Sequence, residues 1–166
     1  MSREWIVEAT IAKYDWSSVN EIEGPAVRIP EAFLELLDSS GPEAAVSSYW
    51  KLDNHVVVQG ALFESSVCVV SLIGAALANP TRPKWVRIQL LELLFQIVSG
   101  ESHSEEVARG ITDLGQQCRE EAKKLIWVLY GILQNGELSR AAREILELID
   151  VGNSLLIILD SLERKI

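Results

Sequence analysis

Apolar residues recur with a helical period along almost the whole chain. In residues 137–150 the apolar positions fall at i, i+3, i+4, i+7, i+10 and i+11, which predicts an amphipathic helix with one solvent-exposed face. Residues 83–99 are apolar around nearly the whole circumference, and only a strip of Gln89, Glu92 and Gln96 is polar. We therefore expect neighbouring helices to cover this second segment on several sides.

Proline, glycine and asparagine interrupt the pattern and set the predicted helix boundaries. The predicted helices span 30–38, 42–57, 62–78, 83–99, 114–134, 137–150 and 154–165. Gly100 stands where a helix C-terminal cap is expected. We predict a helix rather than a strand for residues 5–14, and the type of a shorter element at 16–22 stays open.

Two helix pairs recur at a regular interval. One begins at Pro42 and the next at Pro83, forty-one residues later, which fits the period of about 40–47 residues of HEAT and armadillo units. We predict an all-α chain that forms a HEAT/armadillo-like α-solenoid of about four antiparallel helix pairs, with an irregular helical bundle as the alternative. Residues 1–166 then form a single domain, with an N-terminal cap region (1–29), a repeat core (30–150) and a C-terminal capping helix (151–166).

Four segments resemble a broad group of bacterial HEAT-like repeat proteins. They are Tyr-Asp-Trp-Ser-Ser-Val at 14–19, Glu-Gly-Pro-Ala-Val-Arg-Ile-Pro at 23–30, Gln-Gly-Ala-Leu-Phe-Glu-Ser at 59–65 and the helix end at 90–100. The resemblance covers residues 14–150, although Val69-Val70-Ser71-Leu72 lacks the proline that the group carries there. Small members of this group look like immunity proteins, so the resemblance implies a protein that binds and blocks a cognate toxin.

Composition limits the kind of partner. Apolar residues make up 48% of the chain, enough for a core, and excess acidic residues give a formal net charge of −9. That charge argues against nucleic-acid binding, which needs clustered Lys and Arg. Residues 1–80 hold four basic and eleven acidic side chains, a net of −7, whereas residues 81–166 hold eleven and thirteen, a net of −2. The acidic excess therefore belongs to the first half.

The expected location of the protein rests on three features: the cysteine count, the first residues and the length of the apolar stretches. Two cysteines cannot form a disulfide framework, and the first residues do not resemble a signal peptide. The longest nearly apolar stretch, 67–78, is shorter than the roughly 20 residues of a membrane-spanning helix. We expect a cytoplasmic protein that does not enter a membrane.

Catalytic signatures are absent from the sequence. There is no glycine-rich nucleotide loop and no zinc-protease motif, and two histidines are too few for most zinc sites. We interpret Ser102-His103-Ser104 as a solvated turn, Cys68 as a buried apolar residue and most of the five tryptophans as core or inter-repeat packing. Asp53-Asn54-His55 is not a metal cluster, because consecutive helical residues point in different directions. We predict no catalytic, cofactor-binding or metal-binding residue.

The acidic first half favours a protein-binding function. We expect a basic partner, such as a toxic nuclease whose own substrate is polyanionic, because opposite charges speed association and add specificity. The candidate contacts are Glu21, Glu23, Glu31, Glu35, Asp38, Glu43, Trp50, Asp53, Asn54 and Glu64. The long connection at 100–113 is either a partner-contacting loop or a loose insertion.

The sequence leaves two other functions open. The first is a helical-repeat scaffold or adaptor that has nothing to do with toxins. The second is an enzyme on the same fold, such as the HEAT-like DNA glycosylases, which the net charge of −9 disfavours.

Overall fold

In the computed structural model, residues 4–152 and 155–164 are described, and helices account for most of them. The helices are α1 (Trp5–Ala12), α2 (Ile29–Leu37), α3 (Pro42–Val56), α4 (Ser65–Leu77), α5 (Lys84–Val98), α6 (Ser104–Ala108), α7 (Leu114–Ala122), α8 (Ile126–Gln134), α9 (Ser139–Ile149) and α10 (Leu155–Glu163). Five two-residue strands join them: β1 (Asn20–Glu21), β2 (Gly24–Pro25), β3 (Val57–Val58), β4 (Ala61–Leu62) and β5 (Glu101–Ser102). The helical class is confirmed, and the strands were not predicted.

Proline marks the start of three helices, as predicted. Pro30 and Pro42 lie in the first turn of α2 and α3, and Pro83 comes directly before α5. The missing N–H of proline costs nothing there, because the first amides of a helix have no partner within the helix. The helix predicted for residues 5–14 is also present, as α1.

Two predicted helix boundaries were wrong. Residues 114–134 are not one helix, because a 3-10 turn at Lys123–Leu125 separates α7 from α8. This turn seats the Leu125 side chain against Gly74 of α4, where an added Cβ would lie 3.0 Å from it. The helix predicted from residue 62 begins at Ser65. The element at 16–22, whose type the sequence left open, contains turns and strand β1. Residues 154 and 165 of the last predicted helix lie outside the described part.

Helix α5 lies at the centre of the core. Most of its apolar residues are buried, although Trp85 and Phe95 are half-buried and Ile88 is 40% exposed. The helix packs against α3, α4, α7 and α9, so the predicted cover on several sides is confirmed. Helix α4 in turn packs against α1 and α7. The contacts thus arrange the helices in two rows, α1–α4–α7 and α3–α5–α9, with α2 on α3 and α8 on α9.

A small sheet ties the two central connections together. Strand β4 pairs antiparallel with β3 and parallel with β5, and the Glu101 amide donates to the Gly60 carbonyl at 2.9 Å. A Cβ on Gly100 would lie 2.8 Å from that carbonyl oxygen. Gly100 follows the last turn of α5 as predicted, but its φ is not positive. Close approach of two backbones, rather than a left-handed cap, therefore requires this glycine.

The connection at 100–113 is folded and is not a loose insertion. It contains β5 and α6, and the Glu101 carboxylate accepts from Arg119 of α7 at 3.0 Å. Glu106 is fully buried, and one of its oxygens pairs with Arg109. Within the described residues, no helix is long and apolar enough to cross a bilayer.

Candidate functional site

Helix α3 separates most of the predicted contact residues into two surfaces. Lys51 and His55 lie one turn apart on the side of α3 that meets α2, whereas Trp50, Asp53 and Asn54 lie on the side that meets α5. A helix advances about 100° per residue, so neighbours in sequence are placed on different faces. Acids that are close in the sequence therefore belong to different sites.

The first surface, which we call the α2–α3 face, surrounds a pocket of ≈ 200 Å³. It is lined chiefly by Glu21, Arg28, Ile29, Glu31, Ala32, Glu35, Lys51 and His55. Lys51 forms an ion pair with Glu35, and His55 Nδ1 lies 2.9 Å from Glu21 Oε2. Two of the three acids of this face, Glu21 and Glu35, therefore have a basic side chain of the same face beside them.

The second surface, which we call the α3–α5 groove, has a volume of ≈ 500 Å³. Its lining residues are Val46, Tyr49, Trp50, Asp53, Asn54, Val57, Val58, Gln59, Gln89, Glu92 and Gln96. Among these described lining residues there is no lysine, arginine or histidine. The groove therefore holds two carboxylates and no cation to neutralise them.

Tyr49 contacts both Trp50 and Asp53 of the groove. Its hydroxyl donates to Asp53 Oδ1 at 2.9 Å, and its ring meets the Trp50 ring edge to face at a centroid distance of 5.1 Å. Tyr49 is itself buried, whereas Trp50 is 51% exposed. A buried phenol thus holds an exposed indole beside a carboxylate.

The charge in the groove is incompletely solvated. Burial raises the pKa of Asp53, and the nearby Glu92 carboxylate raises it further, against the hydrogen bond from Tyr49. Burial and the Asp53 carboxylate together raise the pKa of the Tyr49 phenol above its ordinary range. Both effects follow from negative charge held near an apolar wall. A cation placed in the groove would relieve them.

The remaining predicted contacts lie elsewhere. Asp38 borders a shallow groove along α2 with Glu31 and Glu35, and Glu43 is exposed in the first turn of α3. Glu64 accepts two hydrogen bonds from Asn20, so it anchors the β1 region. Glu23 is exposed, and its amide donates to Glu21 Oε2 at 3.2 Å. The structure thus groups Glu21, Glu31 and Glu35 separately from Trp50, Asp53 and Asn54, with Glu43 and Glu64 in neither group.

Sequence reasoning missed the α5 side of the groove. The polar strip of Gln89, Glu92 and Gln96 was visible on an otherwise apolar helix. Only the packing of α3 against α5 places that strip opposite Trp50 and Asp53. The polar strip could be recognised in the sequence, but the sequence does not show which helix faces it.

One group of side chains has the composition of a metal site. Glu21, Glu23 and His55 each offer a ligand atom, and these atoms lie within 4.8 Å of one another. Glu21 Oε2, however, already accepts from the Glu23 amide and contacts His55 Nδ1. Asp53 and His55 point to opposite sides of α3, as predicted, so Asp53-Asn54-His55 is not a cluster.

The hydroxyl and imidazole at 102–103 serve as caps. Ser102 Oγ accepts from the Leu114 amide at 3.0 Å, at the start of α7. His103 Nδ1 accepts from the Glu105 amide at 3.2 Å, at the start of α6, and its ring stacks on Phe63. These contacts hold helix ends in place and do not connect a serine to a base.

Most of the tryptophans were predicted to pack inside the fold, but three of the five do not. Trp16 is buried and Trp85 is half-buried, but Trp5, Trp50 and Trp127 are largely exposed. The prediction failed because an exposed helix face can carry an aromatic without disturbing the helical period. Cys68 and Cys118 are buried free thiols, and burial raises their pKa values to about 11 and about 12.

Comparison of the chain with protein families, with curated proteins and with solved structures found no match in any of the three.

Proposed function

We propose that this chain is a non-enzymatic binding protein whose α3–α5 groove receives a basic segment of a partner protein. The observation that carries the proposal is the lining of the groove. Asp53 and Glu92 face it, Trp50 stands half-exposed beside them, and no described lining residue is cationic. A lysine or arginine of the partner supplies the missing charge.

Trp50 adds recognition by shape to recognition by charge. Tryptophan is over-represented among the residues that dominate protein interfaces, because it buries a large area at a small cost in rotamer entropy. Its ring face also attracts a lysine or arginine side chain. The edge-to-face contact with Tyr49 orients the Trp50 ring before the partner arrives, which reduces the ordering cost of binding.

We further propose that the fold is a HEAT-like solenoid and that the partner is a cognate bacterial toxin. The two helix rows support the first proposal. The second is supported by the resemblance at 14–150 and by the net charge of −7 in residues 1–80. A nuclease toxin is basic because it binds a polyanion, and an acidic inhibitor imitates that polyanion.

The product of the gene adjacent to this one is the probe that tests the proposal. Its affinity is measured by isothermal titration calorimetry at about 50 mM and about 500 mM salt, because screening weakens contacts between solvated charges. We expect a marked loss of affinity at the higher salt. An Asp53→Asn/Glu92→Gln double variant should lose about tenfold in affinity, or about 1.4 kcal/mol.

The matched control is a Glu31→Gln/Glu35→Gln double variant, which removes the same charge from the α2–α3 face. It should leave the affinity nearly unchanged. If the two double variants lose affinity equally, the α3–α5 groove is not the docking site. If the adjacent product does not bind, the toxin hypothesis fails and the adaptor function takes its place.

A further inference from the structure

The α3–α5 groove has a carboxylate on each of its two helices. Asp53 lies on α3 and Glu92 lies on α5, and both line the groove. Their fields overlap, because the charge on Glu92 contributes to the raised pKa of Asp53. A cation in the groove is therefore attracted from two sides at once.

Each of these carboxylates has one oxygen engaged within the protein. Asp53 Oδ1 accepts from the Tyr49 hydroxyl at 2.9 Å, and Glu92 Oε1 accepts from Gln96 Nε2 at 3.0 Å. Within the described part of the chain, Asp53 Oδ2 and Glu92 Oε2 accept no hydrogen bond. The fold thus leaves one oxygen of each carboxylate open to a donor on a ligand.

Amide side chains add further acceptors to the same groove. Asn54, Gln59 and Gln89 line it. Gln59 has a φ of 52°, in the left-handed region that few residues with a side chain adopt. It stands with Gly60 in the two-residue turn between β3 and β4, where asparagine and glycine are the usual residues. These amides supply acceptor oxygens without adding charge.

The wall of the groove discriminates between the two basic side chains. Val46, Val57 and Val58 make part of the wall apolar, so a cation that enters gives up part of its hydration. The guanidinium of arginine is weakly hydrated and presents five N–H donors in one plane, whereas the ammonium of lysine is a strongly hydrated point charge. Entry therefore costs arginine less than it costs lysine.

Trp50 gives a planar cation a surface on which to stack. Half of its side chain is exposed, and the Tyr49 ring meets it at an interplanar angle of 75°. A guanidinium stacks on an aromatic ring through cation–π attraction, which is strongest for tryptophan. The aromatic part of the groove therefore favours the same side chain as its apolar wall does.

We propose that the α3–α5 groove selects an arginine side chain of the partner, stacked on Trp50 and donating to Asp53 and Glu92. This inference rests on the proposed function and names the residue type that the groove recognises. The planar fork of arginine can reach open oxygens on both helices, whereas the donors of lysine radiate from one nitrogen. Charge complementarity identifies the occupant as a cation, because the described lining holds two carboxylates and no basic side chain.

Blocked pentapeptides of the form Gly-Gly-X-Gly-Gly test the selectivity on the full chain, with arginine, lysine or citrulline as X. Citrulline keeps the length and the planar end group of arginine but carries no charge. Each peptide is titrated into isotope-labelled protein, and the indole N–H signal of Trp50 is followed by NMR after its assignment with Trp50→Phe. We expect a saturable, millimolar interaction with the arginine peptide, about fivefold weaker binding of the lysine peptide and no saturable shift with the citrulline peptide.

The indole signal of Trp127 is the internal control, because Trp127 is 74% exposed but lies on α8. This signal should not move. Asp53→Asn should weaken binding of the arginine peptide several-fold, and Glu35→Gln on the α2–α3 face should not. Equal affinities for the arginine and lysine peptides, no saturable shift of Trp50, or an equal shift of Trp127 overturns the inference.

These outcomes are distinct from those that test the proposed function. If the arginine peptide binds in the groove but the adjacent gene product does not bind, the selectivity stands and the toxin hypothesis fails. If that product binds and loses affinity in the Asp53→Asn/Glu92→Gln variant, while the lysine peptide binds as tightly as the arginine peptide, the docking site stands and the arginine inference fails.

Discussion

The two surfaces on either side of α3 both contain acidic residues, yet they differ in whether basic side chains of the same surface lie beside those acids. On the α2–α3 face, Lys51 pairs with Glu35 and His55 contacts Glu21. In the α3–α5 groove, Asp53 and Glu92 raise the local negative potential, and the described lining residues include no cation. The number of acids in a segment therefore does not show how many of them are paired. Under the proposed function, the surface whose acids lack a cation is the one that binds the partner.

The difference has an energetic basis. An exposed ion pair such as Glu35–Lys51 contributes about 0–1 kcal/mol to stability, but it cancels the field that a partner would feel. Carboxylates beside an apolar wall are poorly hydrated, so a partner's cation gains more from meeting them than from meeting a solvated acid. Trp50 adds an apolar anchor that the described lining of the α2–α3 face does not offer.

The largest expected effect is that of Trp50→Ala on partner affinity. Loss of a central aromatic anchor typically costs about 2 kcal/mol or more, roughly a 30-fold loss of affinity. Stability should change little, because half of the Trp50 side chain is already exposed. Calorimetric titration with the adjacent gene product measures the affinity, and urea unfolding measures the stability.

Trp127→Ala is the control for this variant, because Trp127 is also exposed but lies on α8. It should leave the affinity unaltered. Equal losses from the two tryptophans would show that the partner does not distinguish the groove from the rest of the surface.

A smaller effect is expected from Asp53→Asn on the pH dependence of stability. The pKa of Asp53 is raised in the folded state above its ordinary value of 3.8, so its ionised form opposes folding at neutral pH. Stability from this group is regained as pH falls through the raised pKa. Asp53→Asn should therefore be more stable than the unaltered protein at neutral pH, and the difference should shrink as the solution is acidified.

Urea unfolding of both proteins from neutral pH down to about pH 4 checks this expectation. Asparagine keeps an oxygen that accepts the hydrogen bond from the Tyr49 hydroxyl, so the packing of the groove is retained. A stability difference that grows on acidification would contradict the assigned electrostatics.

The smallest effect belongs to Glu35→Gln on the α2–α3 face. It removes one exposed ion pair with Lys51, so the free energy of unfolding should change by less than about 1 kcal/mol. Partner affinity should not change. A loss of affinity comparable to that of the Asp53→Asn/Glu92→Gln variant would erase the contrast between the two surfaces.

Sequence reasoning succeeded where the signal is local. Proline in the first turn located α2 and α3, and the apolar circumference of 83–99 predicted that neighbouring helices cover α5 on several sides. It failed where a contact with a segment distant in the sequence determines the local structure. Leu125 packs on Gly74 at the break between α7 and α8, and Gly100 is required by the Gly60 carbonyl, which lies forty residues earlier.

The sequence by itself determined that the chain is helical, where most helices begin, and which half carries the acidic excess. These properties follow from residue spacing and composition, which need no partner segment. Only the tertiary structure decided that Glu35 and Asp53 belong to different surfaces and that Glu92 joins the second of them. The reason is geometric, because the 100° step along α3 separates neighbouring acids while helix packing brings distant ones together.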